Sequence, residues 1–65
     1  MEGTVINLLA RDGAVSFWFK TKLTSSQYCD LHAVATNADS TDELERMVID
    51  LASKWGVSVQ VEACV

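Results

Sequence analysis

The residues best suited to chemistry form one short segment, Cys29-Asp30-Leu31-His32. A thiol beside an imidazole is the pairing used by cysteine nucleophiles, and both groups are also ligands of zinc. Residues 28–36, YCDLHAVAT, alternate in a way that predicts a strand, whose odd and even side chains point to opposite faces. Cys29 and His32 are therefore expected on opposite faces, which excludes a nucleophile pair.

Asp30 and His32 share a face of this predicted strand, about 7 Å apart. One imidazole and one carboxylate are too few for a zinc site, and Cys29 and Cys64 lack the close spacing of metal-binding motifs. The sequence also lacks a glycine-rich phosphate loop and a nucleophile elbow. We therefore expect a non-enzymatic protein with no catalytic residue, no metal site and no cofactor.

The composition indicates one small globular domain, residues 1–65. Of its 65 residues 49% are hydrophobic, enough for a core, but no run of about 18 apolar residues could span a membrane. The N-terminus lacks the positive charge of a signal peptide, so we expect a cytoplasmic protein with no membrane contact. In a reducing cytosol, Cys29 and Cys64 are expected to be unpaired thiols.

Charge is distributed unevenly along the chain, whose net charge is −4. Residues 1–29 hold three basic and two acidic side chains, whereas residues 30–65 hold two basic and seven acidic ones. An acidic surface repels phosphates and favours a basic partner, such as the nucleic-acid-binding surface of a protein or complex. The candidate contacts are the seven carboxylates of the second half: Asp30, Asp39, Asp42, Glu43, Glu45, Asp50 and Glu62.

An Asp12-Gly13 pair interrupts the first alternating segment and predicts a hairpin with a type I′ turn. Counting outward from that turn places Leu8 opposite Phe17. Trp18 then projects to the opposite face from Phe17, an unusual place for a tryptophan in so small a protein. The other face is a continuous apolar surface, formed by Ile6, Leu8, Ala10, Val15, Phe17 and Phe19.

The second half of the chain predicts a strand, a helix and a last strand. Residues 28–36 are the third strand, and the helix begins after Ser40 as N-cap, with Glu43 completing a capping box, and stops at Gly56. Residues 57–65, VSVQVEACV, form the last strand, parallel to the third after a right-handed crossover. The predicted fold is α+β, in the order β-β-β-α-β: a small, mostly antiparallel four-stranded sheet with one helix packed on one face.

One helix covers only one face of such a sheet, so the other face lies open. Trp18, Tyr28 and His32 are expected on this open face, and aromatic residues are enriched at binding hot spots. The face therefore predicts a protein-interaction module or a homodimer. With Lys20 and Lys22 it also suits single-stranded nucleic acid, a weaker alternative because the chain is acidic overall.

Taken whole, the chain resembles the small acidic inhibitor proteins of phages and mobile elements, of which anti-CRISPR proteins are one kind. The resemblance lies in the single-domain length, the acidic balance of residues 30–65 and one helix on a small sheet without an active site. It implies an inhibitor, monomeric or homodimeric, that presents carboxylates where phosphates would sit in the basic channel of a partner. Such an inhibitor would bind no nucleic acid itself.

Overall fold

The fold is a three-stranded antiparallel sheet with two helices on one face. The computed structural model describes the backbone of residues 3–64 and the side chains of residues 3–62. The elements in chain order are β1 (Thr4–Ala10), β2 (Gly13–Phe19), α1 (Ser25–Asn37), α2 (Thr41–Trp55) and β3 (Val59–Cys64). The sheet has the order β1-β2-β3. α1 lies against β1, and α2 lies across all three strands, so one core forms between the helices and a single sheet face.

The predicted α+β class is confirmed, but the predicted four strands and one helix are wrong. Residues 28–36 belong to α1 and not to a strand. This helix begins at a complete capping box, in which Thr24 Oγ1 accepts from Gln27 N at 3.2 Å and Gln27 Oε1 accepts from Thr24 N at 2.8 Å. Leu31 and Ala35 are its buried residues, and their spacing of four fits a helix as well as an alternating strand.

β1 and β2 form the predicted hairpin in a register that differs by two residues. Leu8 lies opposite Val15 and not Phe17, so the two-residue loop is Arg11-Asp12 instead of Asp12-Gly13. The type I′ turn is wrong too, because Gly13 and the loop residues have no positive φ. A shift of two leaves every side chain on its predicted face, since the side-chain period is two. The buried side chains of the hairpin are accordingly Ile6, Leu8, Val15, Phe17 and Phe19.

α2 confirms the predicted helix at both ends. Ser40 Oγ accepts from Glu43 N at 3.2 Å, and Gly56 ends the helix at a φ of 71°, where a glycine has no steric penalty. The capping box is half formed, because Glu43 Oε1 accepts from Asp39 N at 2.7 Å and not from Ser40 N. An apolar stripe at helical spacing faces the core: Leu44, Val48 and Ala52 are buried, and Leu51 and Trp55 are half-buried.

β3 pairs antiparallel with β2, so the expected parallel crossover is absent. The strand is shorter than the predicted 57–65, and its register shifts opposite Ser16 and Phe17. The shift leaves Glu62 as the extra residue of a β-bulge. The predictions for the side chains of Ala63 and Cys64 and for Val65 lie outside the described residues.

Two further predictions concern the thiols and the membrane. Cys29 is an exposed free cysteine on α1, whereas the thiol of Cys64 lies outside the described side chains. Neither α1 nor α2, the helices within residues 3–64, has the length and apolar character needed to cross a membrane.

Candidate interaction surface

The structure has two candidate binding surfaces, and they lie on opposite sides of the molecule. The sheet buries one face beneath α1 and α2, so its other face, the outer sheet face, points away from both helices. The exposed side of α2 points away from the sheet, because its buried stripe faces the core. The two sides are separated by the full two-layer thickness of a molecule 30 × 20 × 17 Å in extent. One flat partner surface therefore cannot contact both Trp18 and the acidic side of α2.

The outer sheet face carries the most exposed large hydrophobic side chains of the described part of the chain. Val5 is 62% exposed and Leu9 is 73% exposed. The strand register places Trp18 between Val5 on β1 and Gln60 on β3, in one row across all three strands. Two more rows, Asn7 with Ser16 and Leu9 with Ala14, complete the face.

Trp18 is held against the backbone at the start of β1. A Cβ atom built on Gly3 would lie 2.6 Å from the indole Nε1 and 3.0 Å from Cε2, so the ring occupies the space that a larger residue would need. The indole is half-buried as a result, although it is on the outer sheet face. This contact gives Trp18 a defined position before any partner binds, which lowers the entropy cost of using it as an anchor.

The outer sheet face is nearly free of charge. Its six positions on β1 and β2 include no acidic and no basic residue (Val5, Asn7, Leu9, Ala14, Ser16 and Trp18). Lys20, just beyond the end of β2, and Glu62, in the bulge of β3, lie at its borders. The face is therefore a neutral patch on a molecule whose net charge is −4.

The seven predicted acidic contacts lie on four different parts of the fold. Asp30 lies on α1, Asp39 lies in the loop between the helices, and Glu62 lies on β3. The α2 residues Asp42 and Asp50 are eight positions apart, about 12 Å along the helix axis. The remaining two, Glu43 and Glu45, flank the exposed side of α2 and are half-buried.

Three of these carboxylates already have partners in the chain. Glu43 accepts from the backbone N–H of Asp39, as part of the helix cap. The Asp39 side chain lies 4.0 Å from Arg11 Nε, and Asp50 lies 3.8 Å from Lys54 Nζ. Within the described residues, the acidic candidates that form no ion pair or hydrogen bond are Asp30, Asp42, Glu45 and Glu62.

Sequence reasoning missed the role of Asp12. Its Oδ1 accepts from Thr41 N at 2.8 Å, in the first turn of α2. A carboxylate is favourable there because it faces the positive end of the helix dipole. The contact ties the hairpin loop to α2 across 29 positions of sequence. The Asp-Gly pair was a sign of a turn, but nothing local in the sequence pointed to this partner.

Tyr28 and His32 do not lie on the outer sheet face, because both belong to α1. Tyr28 is half-buried against the core, and His32 is exposed. In a helix Cys29 and His32 are neighbours on one side, contrary to the prediction, whereas Asp30 and His32 diverge. Within residues 3–64 no pocket opens and no group of three or more His, Cys, Asp or Glu side chains could hold a metal ion.

Neither protein-family models, nor curated protein sequences, nor solved structures show a match to this chain. A function must therefore be inferred from the two surfaces.

Proposed function

We propose that this protein is a small non-enzymatic interaction protein that binds a protein partner through its outer sheet face. The observation that carries the proposal is the exposure of Val5 and Leu9, four residues apart on β1, with Trp18 directly opposite Val5 on β2. Large apolar side chains that stay exposed together on one face of a small domain favour an interface there. Trp18 adds a positioned aromatic ring, the side-chain type most enriched at binding hot spots.

The binding free energies expected from the two surfaces favour the outer sheet face over the acidic residues. Full burial of a valine or leucine side chain contributes about 1.5–3 kcal/mol, and Val5 and Leu9 still have most of their area to bury. An exposed ion pair contributes about 0.2–1 kcal/mol and weakens with salt. Four of the seven acidic candidates lie on α2, and two of these four, Glu43 and Asp50, already have partners in the chain.

A second candidate function is inhibition of a nucleic-acid-binding partner through the acidic residues, in the manner of anti-CRISPR proteins. The observation that favours it is the set of exposed carboxylates on the helices that have no ion-pair partner in residues 3–62, Asp30 on α1 and Asp42 on α2. In this function the partner presents a basic surface, and Trp18 does not contribute because it lies on the other side of the molecule.

Site-specific photo-crosslinking in the cell of origin separates the two functions. A photo-reactive amino acid replaces Leu9 on the outer sheet face in one chain and Ile49, 49% exposed on α2, in another. We expect a discrete crosslinked protein from position 9, abolished by adding Trp18→Ala in a chain shown by circular dichroism to remain folded. Crosslinking from position 49 alone would support the acidic surface instead, and no product from either position would refute both.

A further inference from the structure

We infer that the partner covering the outer sheet face is a second copy of this chain, packed face to face about a two-fold axis. The inference rests on the proposed function and adds the identity of the occupant. Two sheets that pack in this way lie about 10 Å apart with their strands inclined by about 30°. The resulting dimer has four layers, with the helices outside and the two sheets inside.

The lack of charge on the outer sheet face makes it the side on which two copies of this acidic chain can approach each other. In a two-fold interface the same patch lies on both sides, so any net charge in it faces itself. With a net charge of −4, the chain repels its copy over most orientations. The outward positions of β1 and β2 carry no charge, and the bordering Lys20 and Glu62 have opposite signs. This face therefore meets its own equivalent without like-charge repulsion at its centre.

The edges of the sheet do not offer a comparable route. α1 contacts β1 and neither of the other strands, so it lies over that edge. Pairing β1 with its copy would bring two strands within about 4.8 Å and would crowd the α1 helices that lie against them, since packed helix axes need about 8–10 Å. The β3 edge is interrupted by a bulge that carries Glu62, and a bulge and an edge charge both disfavour strand addition. A second copy is therefore expected on the face and not at an edge.

The size of the face predicts a weak dimer. Seven residues of strand and three strands give a projected area of about 23 × 14 Å, roughly 650 Å² for both copies together. Stable interfaces usually bury about 1,200 Å² or more, and smaller ones are transient. The copies are thus expected to associate and dissociate with concentration, which suits a face that still shows large exposed aliphatic side chains.

Sedimentation equilibrium of the purified full chain tests the inference. We expect the mass to rise from 7.1 kDa toward twice that value as the protein concentration increases through roughly 1 μM to 1 mM. Leu9→Lys should weaken association by about a hundredfold, because each copy loses a contact worth about tenfold and gains a charge that faces its equivalent. Ile49→Lys is the matched control, an exposed aliphatic residue on the opposite side of the molecule, and should leave association unchanged.

A wild-type chain that stays monomeric across this range would overturn the inference, as would equal weakening by Leu9→Lys and Ile49→Lys. These failures are distinct from failure of the proposed function. If position 9 crosslinks in the cell to a protein of another mass while the purified chain is monomeric, the face is an interface but the occupant is not a second copy.

Discussion

The outer sheet face and the helix layer divide the chemistry of this protein between them. The sheet face is neutral and partly apolar, with Val5 and Leu9 mostly exposed. The helix layer is charged, and Ile49 is the large apolar side chain most exposed there within residues 3–62. In a two-layer domain the helices cover only one face of the sheet. The residue types on the uncovered face therefore indicate whether that face contacts water or a partner. We propose that here it meets a partner, whereas α2 has the polar outer side of a solvated helix.

The largest expected effect is on the free energy of unfolding, and it differs between substitutions on the two faces of the sheet. Phe17→Ala removes a fully buried ring and should lower the free energy of unfolding by about 3–5 kcal/mol, much of the stability of a domain this small. Leu9→Ala on the opposite face should change it by no more than about 0.5 kcal/mol. Urea denaturation followed by circular dichroism measures both, in dilute solution where the proposed dimer dissociates. Comparable losses would mean that the outer sheet face is part of the core.

A smaller effect is expected from Gly3→Ala, which sharpens the role of Trp18. The new Cβ forces the indole to move, at a cost of about 1–2 kcal/mol, and should weaken association by displacing the anchor. Fluorescence in a Trp55→Phe background reports Trp18 alone and should change. Gly56→Ala is the control, because its positive φ makes alanine cost about 1–2 kcal/mol far from the outer sheet face. If both variants alter association equally, stability and not the indole position is responsible.

Asp12→Ala should have a still smaller effect, which is confined to stability. The variant loses the hydrogen bond to Thr41 N and the favourable charge at the start of α2, about 0.5–1 kcal/mol. Asp30→Ala, which removes an exposed carboxylate without an ion-pair partner in the described residues, should change stability by less than 0.5 kcal/mol. Thermal denaturation compares the two, and an equal loss in both would argue that Asp12 acts through general charge alone.

The smallest expected effect is that of salt, and its sign separates the two surfaces. Raising sodium chloride from about 50 to about 500 mM screens the repulsion between two acidic copies, so association through the neutral face should strengthen by a few-fold. Binding of the acidic side to a basic partner would instead weaken. Sedimentation at the two salt concentrations gives the sign, and weaker self-association at high salt would point to ion pairs across the interface.

The success of the sequence predictions depended on where local signals were unambiguous. α2 was predicted closely, because Ser40, Gly56 and the apolar stripe all indicate the same helix. The faces of β1 and β2 were also correct, since a two-residue shift in register preserves them. α1 was missed because its alternating small residues also fit a strand, and because the capping-box pattern of residues 24–27, TSSQ, consists of polar residues that are equally common in turns.

The unambiguous and ambiguous local signals also explain which candidate site residues were placed correctly from the sequence. The outward position of Trp18 follows from strand alternation, and the structure confirms it. Tyr28 and His32 were placed on that face only because α1 was taken for a strand. The contact of Trp18 with Gly3 and that of Asp12 with Thr41 join separate segments, and no local pattern encodes them.

The most direct test of the central claim is methyl nuclear magnetic resonance of the unmodified chain. The methyl signals of Val5, Leu9 and Ile49 report the two sides of the molecule without any mutation. We expect the chemical shifts of the Val5 and Leu9 methyl groups to change as protein concentration rises, or when a partner identified by crosslinking is added. The chemical shift of the Ile49 methyl group should stay the same. Val5 and Leu9 signals that stay fixed, with or without a shift at Ile49, would contradict the central claim.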